Sequence, residues 1–182
     1  MEEESAVKWL LTGVFLLGFL WNIQLCQAMT PEEYIEIIAP HAQQVKQHGL
    51  FPSVAIAQSC RETGFGKHLD ALDIYGESVR KYNNVLGKKW RSGHYYEKWT
   101  PEGSGAGRHM IIGKFQAYKS IKECFEDYAR NINNNPAYKD KDTSNIYSFI
   151  YSIAPRYATD NPHAYSSGVL RIIEKYNLTR FD

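Results

Sequence analysis

The distribution of glycine is the feature that most limits how this chain can fold. Five of its 13 glycines lie between positions 93 and 113, in a stretch that also holds short aromatic and β-branched runs. Glycine interrupts helices and supports tight turns, so this stretch is predicted to form a hairpin or a small mobile β-lobe. The segments on both sides carry helix signals. We therefore predict a mainly helical α+β domain with one small β insertion.

The first helix is predicted to begin after Thr30. Thr30 suits the N-cap, Pro31 the first helical position and Glu33 the third position of a capping box. Gly49 is expected to end the helix, and Pro40 is expected to kink it. Its apolar face is predicted to consist of Tyr34, Ile37, Ile38 and Val45.

Four further helices are predicted along the chain. The second covers roughly residues 53–63, after Pro52, and stops at Gly64. The third begins at the Ser120–Glu123 capping box. Apolar residues recur at helical spacing in the last three: Ile121, Cys124, Phe125, Tyr128 and Ile132, then Ile146, Phe149, Ile150 and Ile153, then Tyr165, Val169, Ile172, Ile173 and Tyr176.

Residues 1–28 are predicted to be a signal peptide or an N-terminal membrane anchor. No charged residue lies between Trp9 and Thr30. The dense apolar part, about 13 residues long, fits a cleavable signal. Counting on to Leu25 gives about 17 residues, the lower limit for a spanning helix. Three glutamates outnumber Lys8 in front of it, so we prefer the retained anchor. Either alternative places residues 29–182 outside the cytoplasm.

Charge and cysteine content exclude several kinds of protein. Without residues 1–28 the net charge is +3, which is too weak to indicate nucleic-acid binding. The histidines and cysteines show no metal-ligand spacing, and we expect neither a metal nor a cofactor. Cys60 and Cys124 are expected to be two buried thiols, with a disulfide between them as the alternative.

Glu62 has the position that best suits acid–base chemistry. If the helix ends at Gly64, Glu62 lies in its last turn, where the negative end of the helix dipole raises a carboxyl pKa. Partial burial beside Phe65 would raise the pKa further. A glutamic acid that stays protonated near neutral pH is what a glycosidic general acid requires. A solvated glutamate near a helix end has the same spacing, so position alone leaves both interpretations open.

Four short motifs around and after Glu62 resemble one known family. Residues 50–66 read LFPSVAIAQSCRETGFG, residues 83–87 read NNVLG, residues 115–120 read FQAYKS and residues 157–160 read YATD. Their order and content are similar to those of the bacterial endo-β-N-acetylglucosaminidase family, which includes autolysins and the peptidoglycan-hydrolase domains of flagellar assembly. The resemblance covers about residues 30–182 and assigns them to one catalytic domain.

The resemblance implies a lysozyme-like fold, with a helical lobe and a β-lobe around a cleft. Glu62 would be the general acid, and Tyr157 would position the N-acetyl group or stabilise developing charge. A second carboxylate is expected from the β-lobe. The family's Thr-x-Glu stretch points to Glu102, with Glu97 as the rival.

The same resemblance implies a set of substrate-binding residues. Phe115 and Tyr118 are expected to shape the cleft floor. The two asparagines of the 83–87 turn either cap that turn or bind the sugar. The complete set is Gln58, Asn83, Asn84, Phe115 and Tyr118.

The function implied is hydrolysis of the β-1,4 bond after N-acetylglucosamine in peptidoglycan, by an inverting or a substrate-assisted retaining route. One alternative is a muramidase or lytic transglycosylase acting on the same polymer. Another is an inactive wall-binding module of a secretion or conjugation assembly. The expected partner is the peptidoglycan strand. If residues 1–28 are not cleaved, they are expected to bind the membrane. We expect the protein to be a monomer.

Overall fold

The computed structural model describes residues 29–103, 105–158 and 161–182, so the predicted signal or anchor segment lies outside the described residues. Within these ranges the prediction of a mainly helical α+β domain with one β insertion is confirmed. None of the helices in these ranges has both the length and the apolar character needed to cross a bilayer. The elements are α1 (Pro31–Ala42), α2 (Pro52–Thr63), β1 (Tyr95–Glu102), β2 (His109–Gln116), α3 (Ile121–Asn134), α4 (Ile146–Tyr157) and α5 (Pro162–Lys175), with short 3₁₀ helices between them.

Helix α1 begins with the predicted capping box. Thr30 Oγ1 accepts from the Glu33 backbone N–H at 3.2 Å, and a Glu33 carboxylate oxygen accepts from the Thr30 N–H at 2.8 Å. After Ala42 the chain continues as a 3₁₀ helix to Gly49, whose φ of +71° suits glycine. The predicted apolar face is wrong at one position. Ile37 is 47% exposed, whereas Ile35 is 1% exposed, because the buried stripe turns toward Ile35 and Ala39.

Helix α2 is the central helix of the fold. Its first nine residues are buried, and it packs against α1, α5 and the C-terminal 3₁₀ helix Leu178–Phe181. The predicted stop is confirmed, since Gly64 has a φ of +58° and closes the helix. Burial on all sides makes α2 a rigid base for the side chains of its last turn.

Helices α3, α4 and α5 pack their predicted stripes into the main core. Ser120 caps α3 by accepting from the Glu123 N–H at 3.2 Å. The Glu123 carboxylate accepts from the N–H of Lys119 rather than from that of Ser120, so the predicted capping box is half formed.

The glycine-rich stretch forms the predicted hairpin. Strands β1 and β2 are antiparallel, with Tyr95 opposite Gln116 and Glu102 opposite His109. The hairpin has a small core of its own, consisting of Val79, Tyr96 and Phe115. Its opposite face leaves Trp99 exposed.

Cys60 and Cys124 are buried and free. Burial raises the pKa of each thiol to about 12, so both remain protonated at neutral pH. The preferred expectation of two buried thiols is confirmed, and the alternative disulfide is absent.

Candidate active site

Glu62 lies in the last turn of α2, as predicted, and its side chain is half-buried. Burial raises the pKa of its carboxyl group above the ordinary value. A hydrogen bond from Tyr165 and the charges of Arg61 and His68 oppose that increase but do not cancel it. The site therefore favours the protonated acid, as a proton donor to a leaving oxygen requires.

A chain of hydrogen bonds fixes one oxygen of Glu62. The Tyr128 hydroxyl donates to Gln58 Oε1 at 2.7 Å, and Gln58 Nε2 donates to the Tyr165 hydroxyl oxygen at 3.1 Å. The Tyr165 hydroxyl then donates to Glu62 Oε1 at 3.3 Å. Because the donor and the acceptor are defined at each step, this series of hydrogen bonds fixes the orientation of the Gln58 amide and the rotamer of Glu62.

Gln58 does not lie where a substrate-binding residue would. Its side chain is fully buried and both of its polar atoms are used within the chain of hydrogen bonds. The prediction that Gln58 contacts the sugar directly is therefore wrong, because a buried and fully paired amide has no atom available to a ligand. Its contact with the site runs through Tyr165.

Tyr157 and Glu62 line the same cleft. Tyr157 ends helix α4, and its ring packs edge-on to Tyr128 and against Tyr165, with centroid distances of 6.4 and 5.6 Å. Burial, followed by the proximity of Tyr165 and Glu62, raises the pKa of Tyr157 well above its ordinary value. Its hydroxyl therefore stays protonated and can donate a hydrogen bond.

The cleft consists of two cavities that share Glu62 and Tyr157. One, of about 270 Å³, extends over Gly87 toward the strand side. The other, of about 530 Å³, extends over Asn161 and Ala164 at the start of α5. A β-carbon placed on Gly87 would lie 3.8 Å from Glu62 Oε2, so the glycine turn forms the wall beside the oxygen that Tyr165 does not bind.

The predicted second carboxylate lies at a distance along the hairpin. Glu102 ends β1, lines neither of these two cavities and pairs with Lys89 at 2.7 Å. The Lys89 hydrogen bond and charge lower the pKa of Glu102. Lys89 itself lines the smaller cavity. The Lys89 side chain therefore connects Glu102 to the cleft.

Glu97, the rival to Glu102, points to the other face of β1. Residues an odd number of positions apart on a strand face opposite sides, and Glu97 pairs with Lys114 at 3.7 Å. The face that carries Glu102 also carries Phe115, whose ring lies 4.5 Å from Lys89 Nζ.

The two asparagines of the 83–87 turn hold the two lobes together. The Asn83 amide donates to the Tyr118 carbonyl at 3.0 Å. The Asn84 amide is buried, accepts from the Lys88 N–H at 2.9 Å and donates to the Gln116 carbonyl at 2.9 Å. Of the two predicted roles, these contacts support the capping of the turn.

Phe115 and Tyr118 are both buried but differ in their relation to the cleft. Phe115 lies in the hairpin core. Tyr118 donates to Asp127 at 2.8 Å and lines a third cavity of about 570 Å³. That cavity shares Lys88, Lys89, Arg91 and Asn131 with the cavity over Gly87. Neither side chain lines the two cavities that share Glu62 and Tyr157, so their expected place on the cleft floor stays a prediction.

Three residues of the site were not singled out from the sequence. Tyr165 lies 103 positions after Glu62. The Ala-Tyr pair that follows the YATD motif could have indicated it as a site residue. Arg91 and Arg156 line the smaller cavity, but a single arginine carries no pattern. Among the described residues, no group of three histidine, cysteine or acidic side chains could hold a metal ion.

Comparison with known proteins identifies several that are similar to this chain in sequence or in fold. The catalytic domain of the autolysin Auto from Listeria monocytogenes is 29% identical, with a TM-score of 0.67 over 87% of this chain and 92% of that one. Peptidoglycan hydrolase FlgJ of Vibrio parahaemolyticus is 29% identical over 150 residues, which are 80% of this chain and 47% of the relative. A "probable N-acetylmuramidase" of Lactococcus lactis is 30% identical over 83% of this chain and 35% of its own length.

The chain spans less than half the length of these two curated relatives. The family model described as mannosyl-glycoprotein endo-beta-N-acetylglucosaminidase matches residues 39–178. That match includes Glu62, Tyr157 and Tyr165 as well as the complete hairpin. By its sequence and its fold, this chain is a member of the mannosyl-glycoprotein endo-beta-N-acetylglucosaminidase family.

Proposed function

We propose that this chain is a peptidoglycan hydrolase that cleaves the β-1,4 bond after N-acetylglucosamine, with Glu62 as the general acid. The observation that carries the proposal is the half-buried Glu62 carboxyl with a raised pKa, in a cleft whose other wall is Tyr157. Family membership and the peptidoglycan-hydrolase names of the relatives support the substrate.

In the first step Glu62 gives its proton to the glycosidic oxygen. The bond from that oxygen to the anomeric carbon breaks, and its electron pair stays on the leaving oxygen. The Tyr165 hydroxyl already donates to Glu62 Oε1, and this hydrogen bond strengthens as the carboxylate forms. The protonated hydroxyl of Tyr157 positions the N-acetyl group or stabilises the charge that develops on the sugar.

The second step has two routes, which differ in their need for Glu102. In the inverting route a carboxylate activates a water molecule on the opposite face of the sugar. The pairing with Lys89 keeps Glu102 ionised, as a base must be. In the retaining route the acetamido group of the substrate attacks the anomeric carbon, and no second carboxylate is needed. We prefer Glu102 as the base and keep Glu97 as its control.

Product analysis on purified cell wall tests the proposal. The wild-type chain is compared with Glu62→Gln, Glu102→Gln and Glu97→Gln, and the new reducing ends are reduced and identified by mass spectrometry. We expect reduced N-acetylglucosamine from the wild type, none from Glu62→Gln and normal yield from Glu97→Gln. Normal activity of Glu62→Gln would refute the role of the acid.

A muramidase or lytic transglycosylase is the second candidate, and the name of the Lactococcus lactis relative favours it. It predicts reduced ends on muramic acid, or anhydro-muramic products, in the same experiment. A module that binds insoluble wall without any turnover would instead support the inactive wall-binding alternative. The presence of Glu62 and Tyr157 in one cleft argues against that third candidate.

We further propose that the domain acts outside the cytoplasm, on the basis of the uncharged and largely apolar stretch that begins at Trp9. Fusion of alkaline phosphatase after residue 28 tests this proposal, since the reporter is active only when exported. An inactive fusion that is expressed at a normal level would contradict export.

A further inference from the structure

The cavity over Gly87 is rich in cationic side chains. Lys88, Lys89, Arg91 and Arg156 line it, and among the residues that the structure describes Glu62 is the one carboxylic acid in its lining. Four cations outnumber this one acid even when Glu62 is ionised, so the lining carries a net positive charge. A polymer made only of neutral N-acetylated sugars has no group that would use this charge.

Two of the four cations are already neutralised. Lys88 pairs with Asp127, and its side chain is 15% exposed. Lys89 pairs with Glu102 at 2.7 Å. Within residues 29–103, 105–158 and 161–182, neither Arg91 nor Arg156 forms an ion pair. The excess positive charge of the cavity therefore lies on the two arginines.

Arg91 is held in place by a neutral group. Its Nη1 donates to Asn131 Oδ1 at 2.7 Å, and the same oxygen accepts from the Asn135 amide at 3.3 Å. An amide oxygen orients a guanidinium without cancelling its charge, whereas a carboxylate would cancel it. The remaining donors of the exposed Arg91 fork stay available for an anion.

Arg91 lies where the cleft meets the third cavity. It lines the cavity that contains Glu62 and also the 570 Å³ cavity beside α3, where amide side chains such as Asn134 and Asn135 accompany it. A substituent projecting from a sugar bound near Glu62 would meet Arg91 on its way into the larger cavity.

We propose that Arg91, together with Arg156, binds a carboxylate on the side chain of the muramyl residue next to the scissile bond. The inference rests on the proposed function, because it concerns the substrate of the same cleft. Every muramyl residue carries either a free lactyl carboxylate or a peptide with its own carboxylates. Arginine forks bind carboxylates with two parallel hydrogen bonds, and this contact distinguishes the wall polymer from a neutral polymer of N-acetylglucosamine.

Three substrates distinguish a lactyl carboxylate from a peptide carboxylate as the group that is bound. They are peptide-bearing strands, strands from which an amidase has removed the peptide and left the lactyl carboxylate, and carboxyl-free N-acetylglucosamine oligomers. The 182-residue chain, purified in mild detergent, is compared with Arg91→Gln and Arg156→Gln. Arg171→Gln is the matched control, since Arg171 is exposed on α5 and lines none of the three cavities.

We expect Arg91→Gln to lower kcat/KM roughly 10- to 100-fold on carboxylate-bearing strands, mainly through KM, because a charged hydrogen bond is lost. Arg156→Gln should act in the same direction, and the oligomers and the Arg171→Gln control should show no change. Arg91→Lys should recover part of the loss. A loss confined to amidase-treated strands identifies the lactyl carboxylate, and a loss confined to peptide-bearing strands identifies a carboxylate of the peptide. An equal loss on both kinds of strand shows that the arginines bind either carboxylate. Unchanged kinetics in both variants, or an equal loss on the neutral oligomers, would overturn the inference.

Binding of the same three ligands is measured separately in the Glu62→Gln background, with and without Arg91→Gln. Absence of hydrolysis by the wild type would refute the proposed function, but the binding measurement would still test the role of Arg91. Equal binding of charged and neutral ligands by both proteins would refute the role of Arg91 even if the enzyme is active.

Discussion

Glu62 and Glu102 lie in two regions that are built in different ways. Glu62 ends a helix whose first nine residues are buried, and a chain of buried hydrogen bonds fixes one of its oxygens. Glu102 ends a strand in a two-stranded hairpin that has three buried side chains in its own core. Its partner is Lys89, an exposed lysine.

The difference gives the two carboxyl groups opposite properties. Burial raises the pKa of Glu62, whereas Lys89 lowers that of Glu102. Pairs of acids whose environments push their pKa values apart are suited to one acid role and one base role. The helical side holds the acid in a fixed geometry, and the hairpin side holds the proposed base by one surface contact.

The largest effect is expected at the fixed acid. Glu62→Gln should lower wall hydrolysis about 10²- to 10⁴-fold, the range typical of a lost general acid. It should not lower stability. Because the folded-state pKa of Glu62 is raised, the wild type loses stability as the pH rises from the ordinary carboxyl pKa through the raised value. Gln58 and Tyr165 keep their partners in the variant.

Thermal unfolding at several pH values checks that expectation. The melting temperature of Glu62→Gln should equal that of the wild type at low pH and equal or exceed it at neutral pH. A variant that melts earlier at neutral pH would show that the charged form of Glu62 stabilises the fold, contrary to the raised pKa.

The next effect is expected where the support for the acid is removed. Gln58→Leu preserves the approximate volume but leaves the hydroxyl groups of Tyr128 and Tyr165 without their amide partner. The Tyr128 hydroxyl is then unpaired, whereas the Tyr165 hydroxyl keeps Glu62 as its acceptor. One unpaired buried group costs about 1–3 kcal/mol, and we expect a loss of this size in the free energy of unfolding. Denaturant titration measures it. Trp99→Ala on the hairpin is the matched comparison, and at an exposed position it should change stability by less than about 0.5 kcal/mol.

Local signals were sufficient for the elements and for the position of Glu62 in the last turn of its helix, whereas its proposed role came from the resemblance. Capping residues, helix-stopping glycines and the glycine-rich stretch act within a few positions, and the sequence contains them directly. The stripe of α1 was wrong at Ile37, because Ile35 and Ile37 have equal apolar character and the packing of neighbouring helices decides between them. The resemblance assigned Gln58 to the sugar, whereas its burial depends on Tyr128 and Tyr165, which are distant in sequence.

A smaller effect, on pH dependence, is expected at Tyr165. Its hydroxyl donates to Glu62 Oε1 and holds down a pKa that burial raises. Tyr165→Phe removes the donor, so the Glu62 pKa should rise further and the alkaline limb of the pH–rate profile should move to higher pH. The rate should fall about 10-fold, because the carboxylate formed on proton transfer loses one hydrogen bond. Tyr75→Phe, at an exposed tyrosine, should change neither value, and an alkaline limb that moves to lower pH would contradict this account of Glu62.

The smallest effect is expected on the hairpin side, at Lys89. Lys89→Met removes the hydrogen bond and the charge that lower the pKa of Glu102, so this pKa should rise toward its ordinary value. A base acts in its ionised form, and the acidic limb of the pH–rate profile should therefore move to higher pH, with little change in rate at neutral pH. Stability should be unchanged, because the ion pair is exposed. Lys114→Met, which removes the partner of Glu97 on the other face, is the matched control and should leave the profile in place. If the acidic limb stays fixed in Lys89→Met and in Glu102→Gln, Glu102 is not the base. If Glu97→Gln leaves it fixed as well, the acetamido route becomes the mechanism to test.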